Sequence, residues 1–339
     1  MKRIEFIYLL TGFCTICSCT SKANSEIKEV ITEVHNTVTE AIAEIVEKDI
    51  KPEDIRLDKE LLYDKHTLED TYPYKDTTRH FQWEKIKERL ALLENIQRKP
   101  TQWCILQNYK NRNGEAPLVK NFKRDAYKRI ADTLGVERYQ GIPLFLTDDT
   151  LTAKRYGLDG LLTRHLGEEG KFTKVEPVFI GGEWYAPAKY IKLIPDSVVF
   201  NKAIFIDRHN QNITTLERKE KGCWLIRSMN PATTGQHRPP YAHEPPLGML
   251  GLLENKTNMI FLKDGAAATG GFAPYASRFN NGGYIHGVPT NAPATGIIEY
   301  SYTLGTIPRS HMCVRNATSH AKFIFEWAPV NETIIFVLE

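Results

Sequence analysis

Residues 203–235 read AIFIDRHNQNITTLERKEKGCWLIRSMNPATTG. Apolar and β-branched residues gather in three stretches, parted at His209-Asn210-Gln211-Asn212 and at Lys219 to Gly222. That alternation of strand formers with turn formers predicts three strands around two turns. The following text is rich in glycine, with Gly248, Gly251, Gly265, Gly270, Gly271, Gly282, Gly283 and Gly287, which suits bends and close backbone approaches in a β-rich region. A helix over Thr318 to Trp327 and a final strand, TIIFVLE, are expected after Ser310. The fold class read from this pattern is α+β, with a β-rich domain at the C-terminus.

Ile194-Pro195-Asp196 reads as a boundary, and the sequence before it mixes helix and strand signals. Trp83, Ile86, Leu90 and Leu93 follow helical spacing up to Lys99-Pro100, predicting a helix from Phe81 to Gln97. Strands are expected at WCILQ (103–107) and IPLFL (142–146), and a helix from Asp125 to Leu134 closed by Gly135. A hairpin at EPVFIGGEWYAP should turn on Gly181-Gly182, where a two-residue turn needs positive φ. Residues 52–80 are polar and read as a linker with a short helical piece. Residues 26–50 place Ile27, Ile31, Val34, Val38, Ala41 and Ile45 at steps of four and three, the pattern of an amphipathic helix. Packing on its own protein, self-association and service as a spacer above a membrane are all open for it.

The first 19 residues, MKRIEFIYLLTGFCTICSC, run from Lys2 and Arg3 through an apolar stretch to small residues before Cys19. This is the layout of an export signal. Its end resembles a lipoprotein cleavage box in which Cys19 becomes the lipidated first residue, with Cys17 and a plain secretory signal as alternatives. Three other cysteines remain, Cys104, Cys223 and Cys313. An odd number in an exported chain leaves at least one thiol unpaired or intermolecular. Pairing of Cys104 with Cys223 would spare Cys313. Lys and Arg number 44 against 41 Asp and Glu, a formal charge of +3. No whole-molecule basic field of the kind that nucleic-acid binders show is present.

Ser310-His311-Met312-Cys313-Val314-Arg315-Asn316 concentrates reactive side chains beside the start of the expected helix. His311, Arg315 and a helix start would each favour the thiolate of Cys313. A base for it is available at His286, in Tyr284-Ile285-His286-Gly287, if neighbouring strands bring the two together. A structural disulfide or a buried free thiol is the competing reading. A zinc site is disfavoured, because His286, His311 and Cys313 leave no obvious fourth ligand.

YIHG followed by SHMCVRN resembles the signature of the L,D-transpeptidase (YkuD-like) catalytic domain. The resemblance extends over roughly residues 200–339: AIFIDRHNQNITTLE is similar to the family's opening hairpin, SMNPATTG to its strand ending in Gly, and PPLGML to its Thr-Pro-x-Gly-x-Phe segment. It implies Cys313 as nucleophile, His286 as general base and the Gly287 carbonyl as the group orienting the imidazole. Ser310 and His311 would shape the site, the N–H groups of Met312 and Cys313 would form an oxyanion hole, and Arg315 and Asn316 would contact substrate. An ion-pair role for Arg315 is the alternative. Two departures from the family stand out. Met312 occupies a Gly position, where a positive φ would cost about 1 kcal/mol or more, and residues 288–309 form a longer connection than usual.

The implied organisation is a signal peptide at 1–18, a helical tether and linker at 19–80, a small α+β accessory domain at 81–197 and the catalytic domain at 198–339. The implied reaction is cleavage of a peptidoglycan tetrapeptide stem with release of D-Ala and formation of a 3-3 crosslink, with no cofactor and no metal. L,D-carboxypeptidase action, attachment or detachment of wall proteins, and non-catalytic peptidoglycan binding are the alternatives. Stem peptides are the implied partners, with a membrane reached through the lipid on Cys19 and a location in the cell envelope. His237 and His243 lie in a Pro-rich loop, GQHRPPYAHEPPLG, that reads either as a surface loop or as a lid.

Overall fold

The computed structural model describes residues 48–98, 100–114, 123–124, 130–131, 140–238 and 242–339. The export segment with Cys17 and Cys19, and the 26–50 helix save for its last three residues, lie outside the described residues.

Ten strands and two helices position the site. They are β1 (Arg56–Lys59), α1 (Trp83–Gln97), β2 (Lys202–Asp207), β3 (Asn212–Glu220), β4 (Cys223–Pro231), β5 (Gly248–Gly251), β6 (Glu254–Leu262), β7 (Thr269–Asn280), β8 (Gly283–His286), β9 (Val314–Arg315), α2 (Thr318–Trp327) and β10 (Thr333–Leu338). The three strands expected over 203–235 form as β2, β3 and β4, and the C-terminal helix and strand form as α2 and β10.

The central sheet runs in the order β1-β4-β3-β2-β10-β5. Its middle is parallel, with β2 on β10 in register Phe205↔Phe336. Both strands are apolar at nearly every position because the sheet is covered on both faces. Alternation sends Ala203 and Phe205 to one core, shared with Ile86, Leu90 and Leu93 of α1, Trp224 and Phe336. Ile204 and Ile206 go to the other core, with Ile285, Val314 and Ile324. That second core joins the central sheet to a smaller one of order β6-β7-β8-β9, which carries the site.

A third, antiparallel sheet comes from residues 103–193, in the order Trp184–Pro187, Phe172–Pro177, Leu162–Glu169, Trp103–Leu106, Ile191–Leu193. It is fastened to the smaller sheet by a buried ion pair, Arg278 Nη1 to Asp159 Oδ2 at 2.6 Å. The carboxylate of Asp159 also accepts from the Asn108 N–H at 2.8 Å. Residues 50–339 form one compact unit, and both cores draw side chains from either side of Ile194.

Four local expectations differ from what is observed. Residues 52–80 hold a short 3-10 turn, Pro52–Asp54, but then strands: β1 pairs in parallel with β4, and Thr71–Tyr74 pairs with Thr77–His80. A polar strand at a sheet edge carries no period that distinguishes it from a loop. The helix expected over 125–134 lies outside the described residues save for Ile130–Ala131, which pair as a strand with Lys123–Arg124. Gly181 and Gly182 do have φ of 71° and 73°, yet the ladder closes at Val175↔Trp184, so the connection is wider than two residues. Cys104 and Cys223 are both free and buried. Cys223 Sγ instead takes a hydrogen bond from Arg56 at 3.1 Å.

Two buried histidines tie stability to pH. Burial holds the His286 imidazole down at about 4, against its hydrogen bond to Gly287, and holds His320 down at about 3. Both are therefore neutral in the folded chain and protonate in the unfolded chain near 6.5. Their contribution is complete above about pH 6.5 and is lost as pH falls towards 4 and 3, at up to roughly 1.4 kcal/mol per pH unit per histidine. Urea unfolding at about pH 7 and pH 5 should differ by roughly 2 kcal/mol for each histidine. Equal or higher stability at the lower pH would contradict this assignment.

Candidate active site

The Asn281-Gly282 turn joins β7 to β8, with Asn280 paired to Gly283 across it, the short Asn-Gly connection that suits a hairpin. β8 then runs parallel to β9, with Ile285 opposite Val314 and His286 opposite Arg315. Ile285 and Val314 are fully buried in the second core. By strand alternation their neighbours His286, Cys313 and Arg315 face the other way, and all three line one cavity of about 290 Å³. The 26 residues between His286 and Cys313 are thus bridged by a single parallel pairing.

His286 is 3% exposed. Its ring Nδ1–H donates to the Gly287 carbonyl at 2.6 Å, which leaves Nε2 as the basic nitrogen. Gly287 is required there. A Cβ would lie 2.6 Å from Thr318 Oγ1 and 2.9 Å from Pro274 Cγ, while its N–H donates to the Pro274 carbonyl at 2.8 Å. The carbonyl of His286 accepts from the Asn316 N–H at 2.9 Å, so the base is held from both ends.

Cys313 is half-buried, and its thiol donates to the Gly282 carbonyl at 3.5 Å. Burial pushes it up to about 11, outweighing the Tyr284 N–H and the Arg315 charge that pull it down. The neighbours that favour a thiolate are present, but desolvation wins. The pair is a neutral thiol and a neutral imidazole, so any attack by the sulfur would require its proton to leave in the same step.

The residues around Cys313 are individually braced. The Ser310 hydroxyl donates to the Cys313 carbonyl, closing the loop on itself. His311 Nε2 meets Asp264 Oδ1, at the tip of the β6–β7 hairpin, at 2.7 Å, and its carbonyl accepts from the His243 N–H at 2.6 Å. The Pro-rich loop therefore reaches the catalytic loop through its backbone. Met312 does not have positive φ, so its side chain carries no left-handed strain. A Cβ on Gly283 would lie 3.5 Å from Met312 Cγ and Sδ, and a Cβ on Gly235 would lie 2.8 Å from Met312 Cα. Gly235 thus lets the Met312 backbone approach closely, and Gly283 lies beside its side chain. Among the described residues no backbone hydrogen bond occupies the N–H of Met312 or Cys313.

Arg315 and Asn316 part company. Arg315 makes no ion pair among the described residues, and its buried Nε has no hydrogen-bond partner. Besides the Cys313 cavity it lines a second one of about 470 Å³ built from the 288–309 connection, which includes Pro289, Asn291, Tyr300 and Tyr302. Asn316 is fully buried behind the site and gives its amide to the carbonyls of Pro231 and Arg315. It lines neither cavity.

Residues 201–337 match the YkuD family model, the L,D-transpeptidase catalytic domain. This segment is a YkuD domain. No curated protein matches the chain. Among solved structures, an L,D-transpeptidase from Mycobacterium smegmatis is similar at 14% identity over 58% of this chain and 100% of that one, with a TM-score of 0.33. One from Mycobacterium tuberculosis is similar at 16% over 54% and 92%, with a TM-score of 0.32. A fused Zn-dependent amidase/peptidase/peptidoglycan-binding protein from Clostridium acetobutylicum is similar at 15% over 41% of this chain, which spans about half of it (52%), with a TM-score of 0.30. The YkuD domain holds His286, Gly287 and the whole 310–316 loop, while α1, β1 and the 103–193 sheet lie before it.

Sequence reasoning missed the Gly282 carbonyl, the Tyr284 N–H and Asp264, together with Met259 and Phe261, which supply the apolar wall of the cavity. The first two are backbone groups, which no residue type announces. The others come from a hairpin whose register only the folded sheet defines.

Proposed function

We propose that this chain is a cysteine-dependent L,D-transpeptidase acting on peptidoglycan stem peptides outside the cytoplasm, where the export segment would deliver it. The observation that carries this reading is the single cavity in which Cys313 Sγ, His286 and an unpaired Arg315 guanidinium meet. As Cys313 attacks the amide carbonyl between the third residue of a tetrapeptide stem and D-Ala, its proton passes to His286 Nε2. His286 returns that proton to the departing amine, the C–N bond breaks, and D-Ala leaves a thioester behind. The amine of a second stem then attacks the thioester, gives a proton to His286 and restores the thiol, so a 3-3 crosslink forms. The N–H groups of Met312 and Cys313 are available to the oxyanion. Arg315 fits a substrate carboxylate better than a structural ion pair, since it has no acidic partner. Asn316 acts in this scheme by fixing the backbone of His286. Water in place of the second amine would make the same site an L,D-carboxypeptidase.

The test incubates residues 20–339 with purified tetrapeptide muropeptides and follows products by mass spectrometry, alongside Cys313→Ala. Crosslinked dimer from the wild type and none from the variant is the expected outcome. Tripeptide alone would redirect the reading to carboxypeptidase action, and binding without turnover would overturn the enzymatic reading.

A further inference from the structure

The cavity next to the reactive one is built from a connection that residues outside the YkuD segment also brace. Its wall, residues 288–309, closes on itself where Val288 bridges Ile298, and it is tied to its own domain where the Gly305 N–H donates to the Ala232 carbonyl, the Thr318 N–H to the Glu299 carbonyl and the Thr233 hydroxyl to the Thr303 carbonyl. Tyr302, between these ties, is 95% exposed. A strap from residues 63–80 crosses the same wall. His66 stacks on Tyr300 with ring centroids 4.4 Å apart and sets Nε2 3.5 Å from Glu299 Oε1. Arg79 donates to the Gly305 carbonyl at 2.5 Å and lies 3.6 Å over the Tyr74 ring.

The strap is itself anchored. The Asn230 amide donates to the carbonyls of Lys65 and His66 at 2.7 and 3.1 Å, and His66 takes a φ of 54° to present its ring. Tyr63 joins Ser319 at 2.7 Å, and the Ser319 N–H donates to Glu299 at 3.0 Å. One chain of contacts thus runs from the strap through the start of α2 to the wall. These contacts add to the ties within the domain and further restrict a wall that carries exposed apolar and aromatic side chains, and ordering such a surface in advance lowers the entropy that a ligand must supply.

We propose that His66 and Arg79 are positioning residues that hold this wall as the binding surface for the second peptide chain of the reaction, the one that brings the amine. This rests on the transpeptidase reading above. The cavity containing Cys313 takes the chain that is cleaved. The second cavity lacks both reacting side chains but shares Pro289, Asn291 and Arg315 with the first, so a peptide lying in it can pass its amine across Arg315 to the thioester. The unpaired guanidinium at the junction suits a carboxylate-bearing peptide.

The experiment separates the two half-reactions in the wild type, His66→Ala, Arg79→Ala, Arg79→Lys and Tyr302→Ala. Acylation is read as D-Ala release and the thioester mass on Cys313 with the donor alone. Transfer is read as the dimer rate against acceptor concentration. The acceptor KM should rise on the order of tenfold in both strap alanine variants and in Tyr302→Ala, with D-Ala release changed less than twofold, and Arg79→Lys should recover most of the loss. Tyr302→Ala, at a solvent-exposed tip, keeps the test decisive if a strap variant folds poorly. Acylation and transfer falling together, or an unchanged acceptor KM in all variants, would overturn the proposal while leaving the transpeptidase reading intact. A wild type that is never acylated would overturn both.

Discussion

Replacing His286 by glutamine should lower turnover at neutral pH by about 10²–10⁴-fold, the usual contribution of a positioned general base. The pH dependence distinguishes this from simple damage. With the base present, the acid limb of kcat/KM should fall near 4, because His286 must be neutral to accept the proton and burial holds it at that value. Without the base, attack needs a thiolate formed by solvent. The residual rate of the variant should then climb about tenfold per pH unit towards the Cys313 value of about 11, while the wild type stays flat. A variant whose profile parallels that of the wild type at a constant fraction would show that His286 does not carry the proton.

Glu94→Ala should be among the most destabilising single changes in the chain, although it lies far from the reacting groups in sequence and before the YkuD segment. The Glu94 carboxylate is 3% exposed. It accepts two bonds from Arg218 at 2.7 and 2.8 Å, one from Trp224 Nε1 at 3.0 Å and one from the Gly222 N–H at 3.2 Å. Removing it leaves a guanidinium and an indole N–H without partners at a buried interface, a loss of about 3–5 kcal/mol. Glu94→Gln keeps an acceptor for Trp224 and should cost less. Urea denaturation midpoints at constant m would read both, and a loss below about 1 kcal/mol for the alanine variant would mean that α1 is not integral to the central sheet. The carboxylate links α1 to β3 and β4, so this measurement also tests whether a boundary near 197 separates independent parts.

The candidate site residues were legible because their chemistry is local: a cysteine, a histidine and an arginine within a few positions, with a second histidine next to a glycine. The strands of the central sheet were legible for the same reason, since β2, β3 and β10 are dense in β-branched residues and β4 opens on an apolar run. The strap was not. His66 and Arg79 sit in a polar stretch without period, and their meaning comes from partners at Glu299, Tyr300 and Gly305. Met312 was misleading in the opposite way. A side chain at a glycine position suggested strain, but the backbone there does not take the positive φ that would cause it.

By itself the sequence determined which side chains could react, several strands of the central sheet, and that the C-terminal 140 or so residues should enclose the chemistry, because residue type and short-range periodicity act over a few positions. Only the tertiary structure decided that His286 and Cys313 share a cavity, that burial keeps the thiol protonated and the imidazole neutral, and that residues 50–197 brace the domain which follows. Those outcomes depend on desolvation and on pairings between residues up to hundreds of positions apart. Neither is a property of any single stretch of chain.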